Sequence, residues 1–152
     1  MSRTNRVIKR DKGWRRIQRE LQRLNNRATT AGVHEEDAAS SDDVDNVEKA
    51  YLNEFGVGNR PTRSFLRATH DEKKNAWHRA SVEAVRDVIR GLSSSERVLD
   101  RVGSLAAGDI KEAVVDFSNP PNALMTVRLK GKDDPLVDSG EMRDSIKHRT
   151  DS

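Results

Sequence analysis

Apolar residues recur at helical spacing in the first third of the chain. Trp14, Ile17, Leu21 and Leu24 would share one helix face, so the pattern predicts an amphipathic helix over residues 5–26. A second, shorter helix is predicted to end at Gly56, because glycine readily adopts the left-handed conformation of a helix C-terminus. The apolar residues that mark this second helix are Val47, Tyr51, Leu52 and Phe55.

The centre of the chain predicts two longer helices. Thr69, with a glutamate three residues later, has the spacing of a capping box and predicts the start of a helix that ends at Gly91. Ser93 is also followed by a glutamate at that spacing and predicts the start of the next helix, which Pro120 stops. Together the two predict a helical hairpin.

Short alternations of apolar and polar residues predict three strands, over residues 28–35, 123–130 and 146–150. The order of elements predicts an α+β fold, in which a small antiparallel sheet packs with several helices, including the N-terminal helix and the central hairpin. An all-helical fold stays open as the alternative if the short strands do not form.

Charge is strongly segregated along the chain. The overall net charge is +3, but residues 1–27 carry a net +8 and residues 35–54 carry a net −7. We therefore predict a basic helical arm over residues 1–27, followed by a single domain over 28–152. The two regions could attract each other between copies of the chain. A solvated helix beside a solvated loop, and a phosphate-binding arm, stay open as alternatives.

Composition narrows the class of protein. A chain of 152 residues fits one domain, and a hydrophobic content of only 34% predicts a thin core that a partner surface could complete. The absence of cysteine excludes disulfides, thiolate zinc sites and thiol nucleophiles. The sequence has neither a membrane-spanning stretch nor a signal peptide, so we expect a soluble protein in the cytoplasm before assembly.

Residues that could carry chemistry have simpler explanations. His34 and the three acidic residues after it are consecutive, so in a strand they would point to opposite faces and could not converge on one metal ion. Asp138 and Glu141 have the spacing of a capping box, which explains them without acid–base catalysis. Ser139 precedes Gly140 but lacks the Gly-x-Ser-x-Gly frame of a hydrolase nucleophile. We predict no enzyme, no metal and no cofactor.

Two short motifs are the most specific features. In the first, Asn53-Glu54-Phe55-Gly56 is followed by residues 60–67, Arg-Pro-Thr-Arg-Ser-Phe-Leu-Arg. Pro61 favours an extended turn that leads Phe65 and Leu66 into the core, with the arginines facing outward. The second spans residues 134–146, Asp-Pro-Leu-Val-Asp-Ser-Gly-Glu-Met-Arg-Asp-Ser-Ile. In it, Leu136 and Val137 would anchor an extended approach to a short helix. Asp138 and Glu141 would cap that helix, and Met142 and Ile146 would share its inner face.

In this order the two motifs resemble the tail-completion and neck proteins of long-tailed bacteriophages. The resemblance covers about residues 44–70 and 131–150. It implies a structural subunit without enzymatic activity that forms a ring at the head–tail junction or the top of the tail. The N-terminal arm is more basic than is usual in that family, and Ser139 and Met142 stand where threonine and leucine are commoner.

The resemblance also implies partners and assembly residues. The partners are copies of the chain, other connector, neck or tail proteins, and DNA passing through the channel, in the virion and in the host cytoplasm during assembly. A small nucleic-acid-binding module is the alternative; it explains the basic helix but not the two motifs. The residues carried over from the motifs are Phe55, Gly56, Arg60, Pro61, Phe65, Leu66, Arg67, Pro135, Leu136, Val137, Asp138, Gly140, Met142 and Arg143. The candidate interface or DNA-facing residues are Trp14, Arg15, Arg16, Arg19 and Arg23.

Overall fold

A computed structural model describes residues 13–41, 43–137 and 139–151 of the chain. Within these ranges the chain forms six α-helices and one two-stranded antiparallel sheet, which confirms the predicted α+β class. A 3-10 turn at Glu35–Asp37 follows the first strand. The elements in chain order are α1 Trp14–Asn25, β1 Thr29–Val33, α2 Asn46–Phe55, α3 Leu66–Arg90, α4 Ser95–Val115, α5 Leu124–Lys130, α6 Glu141–Ser145 and β2 Ile146–Thr150.

The sheet joins two segments that are far apart in sequence. β1 pairs with β2 over five residues, from Thr29 opposite Thr150 to Val33 opposite Ile146, and both strands pack against α4. The carboxylate of Asp37 accepts hydrogen bonds from Lys147 and Arg149 of β2. These bonds lower the pKa of Asp37 to about 2. The pairing of β1 with β2 confirms the strands predicted at residues 28–35 and 146–150.

The predicted helical hairpin is formed by α3 and α4, but both helices begin elsewhere than the capping patterns indicated. α3 begins at Leu66, so Thr69 lies inside the first turn and its hydroxyl donates to the Phe65 carbonyl at 2.5 Å. The N-cap of α4 is Ser94, one residue after the predicted Ser93, and its side chain accepts from the Arg97 amide. The prediction that Gly91 ends α3 is confirmed, since this glycine has a left-handed φ of 84°.

The strand predicted over residues 123–130 is wrong, because this segment forms α5. Alternation of Met125, Val127 and Leu129 fits a strand, but a strand needs a neighbour, and the described sheet contains β1 and β2 alone. As a helix the segment satisfies its backbone locally, and it ends at Gly131 with a φ of 75°. Its leucine, methionine, arginine and lysine residues also favour helix.

The described residues bury two apolar clusters. The larger lies between α2, α4, α6 and the sheet, and the smaller lies between α3 and α4. Trp14, which the helical spacing placed on the apolar face of α1, lies outside both clusters and is 61% exposed. Leu92 is 71% exposed because it lies beyond the end of α3. The larger cluster consists of Ala50, Phe65, Ala107, Ile110, Val114, Leu136, Met142 and Ile146.

The basic helix is confirmed over α1, while residues 5–12 of its predicted span lie outside the described residues. α1 packs on α3 and α4 through Leu24, which contacts the smaller cluster. Its buried Glu20 accepts the Ser95 amide at 2.7 Å and Arg23 at 2.9 Å, so a carboxylate from α1 caps the start of α4. The domain boundary at residue 27 stays a prediction.

Candidate assembly surface

The two sequence motifs meet in the larger apolar cluster. Phe65 from the first motif is 1% exposed, and Leu136 and Met142 from the second are each 6% exposed. Leu66 and Val137 pack against the edge of the same cluster. Segments about eighty residues apart therefore form one buried junction. The prediction that Phe65, Leu136 and Met142 lie in the core is confirmed.

Glu54 connects the end of α2 to the start of α3. This residue is only 2% exposed, and its carboxylate accepts the backbone amides of Leu66 at 2.9 Å and Arg67 at 3.1 Å. The N-cap position of α3 is Phe65, which has no polar side chain to accept these amides. Glu54 therefore supplies the cap from another helix, and its negative charge lies where a helix N-terminus favours an anion.

Two side chains complete the surroundings of Glu54. Its carboxylate also accepts from the Ser64 hydroxyl at 2.7 Å and from Arg67 Nε at 2.8 Å. Burial raises the pKa of Glu54, but the hydrogen bonds from Arg67, Ser64 and the two amides outweigh burial and hold that pKa below its usual value. Glu54 is therefore ionised and paired with Arg67 in the folded state.

The expectation that the arginines of the first motif face outward is only partly met. Arg60 and Arg67 are exposed as expected, whereas Arg63 is partly buried. Arg67 also bonds both the carboxylate and the backbone carbonyl of Glu54, and its guanidinium lies 4.9 Å from the centre of the Phe55 ring. Arg63 donates to the carbonyls of Pro120 and Pro121. Spacing along the sequence could not reveal these contacts, because the acceptors of Arg63 are nearly sixty residues away.

The turn between α2 and α3 is confirmed. Gly56 has a φ of 65°, and a Cβ added there would lie 2.5 Å from the Thr62 hydroxyl oxygen, so both conformation and space require glycine. The Arg63 amide donates to the Asn53 carbonyl at 2.7 Å, which closes the turn over the end of α2. Pro61 lies exposed within it.

The capping box predicted for α6 is wrong in the role given to Glu141. The N-cap of α6 is Gly140, with a φ of 89°, and the Glu141 carboxylate instead accepts from Ser41 N at 3.1 Å and Ser40 Oγ at 3.0 Å. These bonds hold the pKa of Glu141 below its usual value. Glu141 thus ties α6 to the loop before α2, while its predicted partner Asp138 lies outside the described residues.

The second motif contributes both buried and partly exposed residues around α6. Pro135 and Gly140 are buried beside Leu136, so the extended approach to α6 lies against the core as predicted. Arg143 pairs with the neighbouring Asp144 at 2.7 Å and is only partly exposed. Met142 is buried on the inner face of α6 as predicted; Ile146 is also buried, but it begins β2 and does not belong to α6.

The structure leaves two apolar surfaces uncovered next to this junction. The first, the α2 stripe, consists of Val47, Tyr51 and Phe55, which are 37%, 56% and 51% exposed. The second, the α5 face, consists of Leu124, Met125 and Leu129, which are 82%, 67% and 82% exposed. Contiguous exposed apolar groups of this kind mark interaction surfaces.

The basic helix α1 exposes a pair of cations on one side and a tryptophan on another. Arg15 and Arg19 are four positions apart and share one side of the helix, whereas Trp14 lies about 100° and 140° around the helix from them; all three are exposed. Arg16 points elsewhere, since it donates to the Val88 carbonyl, and Arg23 is paired with Glu20. Of the five candidate interface residues on this helix, the structure therefore brings Arg15 and Arg19 together and places Trp14 on a different side.

Sequence reasoning missed an apolar cleft of about 330 Å³ between β1, α3 and α4. Its walls include Ala31, Leu66, Trp77 and Ile110, and Trp77 donates its indole N–H to Asp109 at 2.5 Å. Because the lining comes from three distant segments, the periodicity within any one of them could not indicate the cleft. Across the described ranges, no group of three or more histidine and acidic side chains is arranged to hold a metal ion.

Comparisons with protein-family models, with curated proteins and with solved structures give no match to this chain. None of the helices in the described ranges combines the length and the apolarity that crossing a membrane requires. The observations that bear on the function of this chain are therefore the geometry of its exposed surfaces and the two motifs.

We predict that Glu54→Gln lowers the free energy of unfolding by about 3 kcal/mol. The substitution removes the buried negative charge that pairs with Arg67 and accepts hydrogen bonds from the two backbone amides. Urea unfolding followed by circular dichroism at pH 7 measures the change. Glu48→Gln is the matched control on the same helix, since Glu48 is exposed; its effect should stay within about 0.5 kcal/mol. Equal stability of the two variants would contradict the role of Glu54.

Stability should also fall in acid. The folded pKa values of Glu54, Glu20 and Glu141 lie below their ordinary value, so the unfolded chain binds more protons. The stability from these groups is complete above the unfolded pKa and is lost as the pH falls through the folded pKa. Urea midpoints of the wild type should therefore drop below about pH 5. Glu54→Gln should show a shallower drop and Glu48→Gln the wild-type drop; identical pH profiles for all three proteins would refute this.

Proposed function

We propose that this chain is a structural virion protein of a tailed bacteriophage. In this proposal it forms a ring at the head–tail junction, as a neck or tail-completion subunit, and is needed for joining heads to tails. The observation that carries the proposal is the burial of both motifs in one junction, with Phe65, Leu136 and Met142 in a single cluster. The same two motifs, in the same order, are those that resemble the phage family.

The exposed surfaces agree with a protein that acts by binding. The α2 stripe and the α5 face both lie beside the junction, and a subunit that is buried between neighbours needs apolar surfaces of this kind. Its partners would be copies of itself and other connector, neck or tail proteins. The basic face of α1 would contact a neighbour or the DNA in the channel.

The test uses the phage or lysogen that encodes the chain. A nonsense mutation in its gene should leave full heads and finished tails unjoined, as counted by negative-stain electron microscopy. Supplying the wild-type chain from a plasmid should restore joined particles, and mass spectrometry should find the chain in purified virions. Normal joined particles from the mutant, or virions that lack the chain, would refute the proposal.

A second candidate function is nucleic-acid binding by α1. It is favoured by one observation, the exposure of Arg15 and Arg19 on one side of α1 and of Trp14 near the start of the same helix, because cations can neutralise phosphates and an aromatic ring can stack on a base. On this alternative the virion motifs would reflect only a shared fold.

Salt dependence separates the two candidates. If α1 binds DNA, the affinity for a labelled oligonucleotide should fall steeply with added salt. Replacing both Arg15 and Arg19 with glutamine should then reduce the magnitude of the slope of log affinity against log salt concentration by about two. Fluorescence anisotropy measures both quantities. Replacing Arg86 and Arg97, which lie exposed on α3 and α4, is the matched control. Equal slopes for the two double variants would exclude α1 as a specific DNA-binding surface.

A further inference from the structure

The α5 face is not covered by the rest of the described chain. α5 has seven residues, and none of them is buried. Isolated helices shorter than about 12 residues are marginal in water, and most helices in proteins depend on packing of an apolar face. Leu124, Met125 and Leu129 provide such a face, but it points to solvent. A partner that covers these side chains would supply the missing packing.

Both ends of α5 are fixed to the motif junction. Arg63 from the first motif holds the segment before the helix through the carbonyls of Pro120 and Pro121. At the other end, Lys130 donates to the carbonyls of Asp134 at 3.0 Å and Val137 at 2.7 Å. The apolar face is therefore presented in a defined position, which lowers the entropy that a partner would have to remove on binding.

The α2 stripe complements the α5 face in charge. Exposed Arg128 lies within the α5 face, and exposed Glu48 lies beside Val47 in the α2 stripe. Neither side chain has an ion pair with any residue in the described ranges. Asp43 and Asp45 add negative charge near the start of α2. Opposite charges at the edge of two apolar surfaces favour one pairing and set its register.

The two surfaces cannot cover each other within one subunit. Lys130, at the end of α5, lines a cleft together with Lys49 and Asn53 of α2. Tyr51 is two positions from each of those residues, which places it about 200° away around the helix. The α2 stripe therefore faces away from the side of α2 on which α5 lies, whereas a second copy could bring its α5 face to it.

We propose that the α5 face of one copy docks on the α2 stripe of a second copy, with Arg128 beside Glu48. This inference rests on the proposed ring and names the surfaces that join its subunits. Because each copy uses a different surface toward each neighbour, the contact is head to tail. Such contacts form a closed ring when the rotation between neighbours closes.

Site-specific cross-linking of the full chain tests the pairing, because the native sequence contains no cysteine. One variant carries Leu129→Cys and another carries Tyr51→Cys. Mixed and mildly oxidised, they should give a disulfide-linked dimer on a non-reducing gel in at least about tenfold greater yield than either variant alone. Leu92→Cys replaces Leu129→Cys in the control mixture; Leu92 is also highly exposed, at 71% against 82% for Leu129, and lies outside both surfaces.

Two outcomes overturn the inference. Cross-linking no better than with the Leu92→Cys control means that the surfaces do not meet. Efficient cross-linking of one variant with itself means that two like surfaces meet, so the contact is not head to tail. Circular dichroism of each variant shows whether it is folded, and Met125→Cys provides a second probe of the same face.

Charge reversal gives an independent readout in light scattering of the wild type and variants. Glu48→Lys and Arg128→Glu should each weaken self-association by about tenfold, while an equal mixture of the two should recover it, because every contact then pairs opposite charges. Glu83→Lys, an exposed reversal on α3, should have no effect. A mixture that stays as weak as the single variants, or a wild type that stays monomeric throughout, contradicts the pairing.

These outcomes are separable from those for the proposed function. If the chain is found in virions and joins heads to tails but the cross-link fails, the named surfaces are wrong while the function stands. If the cross-link forms but the chain is absent from virions, the contact between copies stands while the phage function falls.

Discussion

The buried Glu54 carboxylate is the interaction on which the described architecture depends. Burying a carboxylate is costly unless hydrogen bonds and an opposite charge replace its water. Two backbone amides, Ser64 and Arg67 do so here, and in return α3 gains the cap that Phe65 cannot supply. Glu20 does the same for α4. The hairpin is therefore anchored at both of its helix starts by glutamates from earlier helices, which couples its position to α1 and α2.

A thin core explains why so much apolar surface remains exposed. Only 34% of the residues are hydrophobic, and the described chain divides its buried ones between two small clusters. Polar links such as Asp37 to β2 and Glu141 to the loop before α2 hold elements that apolar packing alone would leave loose. Six of the exposed large apolar side chains lie on α2 and α5, next to the motif junction. A subunit that completes its packing through neighbours has this distribution, which is why we favour assembly over catalysis.

Sequence patterns succeeded where the decisive interactions are local. Helix periodicity and the glycines at the ends of α2 and α3 predicted those helices well, because backbone geometry at a helix C-terminus depends on one residue. The motif residues Phe65, Leu136 and Met142 were correctly expected in the core. The capping patterns at Thr69 and Glu141 failed for reasons outside their own segments. Glu54 caps α3 at Leu66, three residues before Thr69, and Glu141 accepts hydrogen bonds from the loop before α2.

The sequence by itself determined the α+β class, the hairpin, the two segments that form β1 and β2, and the two motifs. Only the tertiary structure decided that residues 124–130 form a helix, that Trp14 lies outside the core, and that Glu54 reaches the start of α3. The physical reason is the range of the forces involved. Turn geometry and periodicity act within a few residues, whereas the availability of a strand partner, the burial of a ring and the pairing of a carboxylate depend on which distant segments become neighbours.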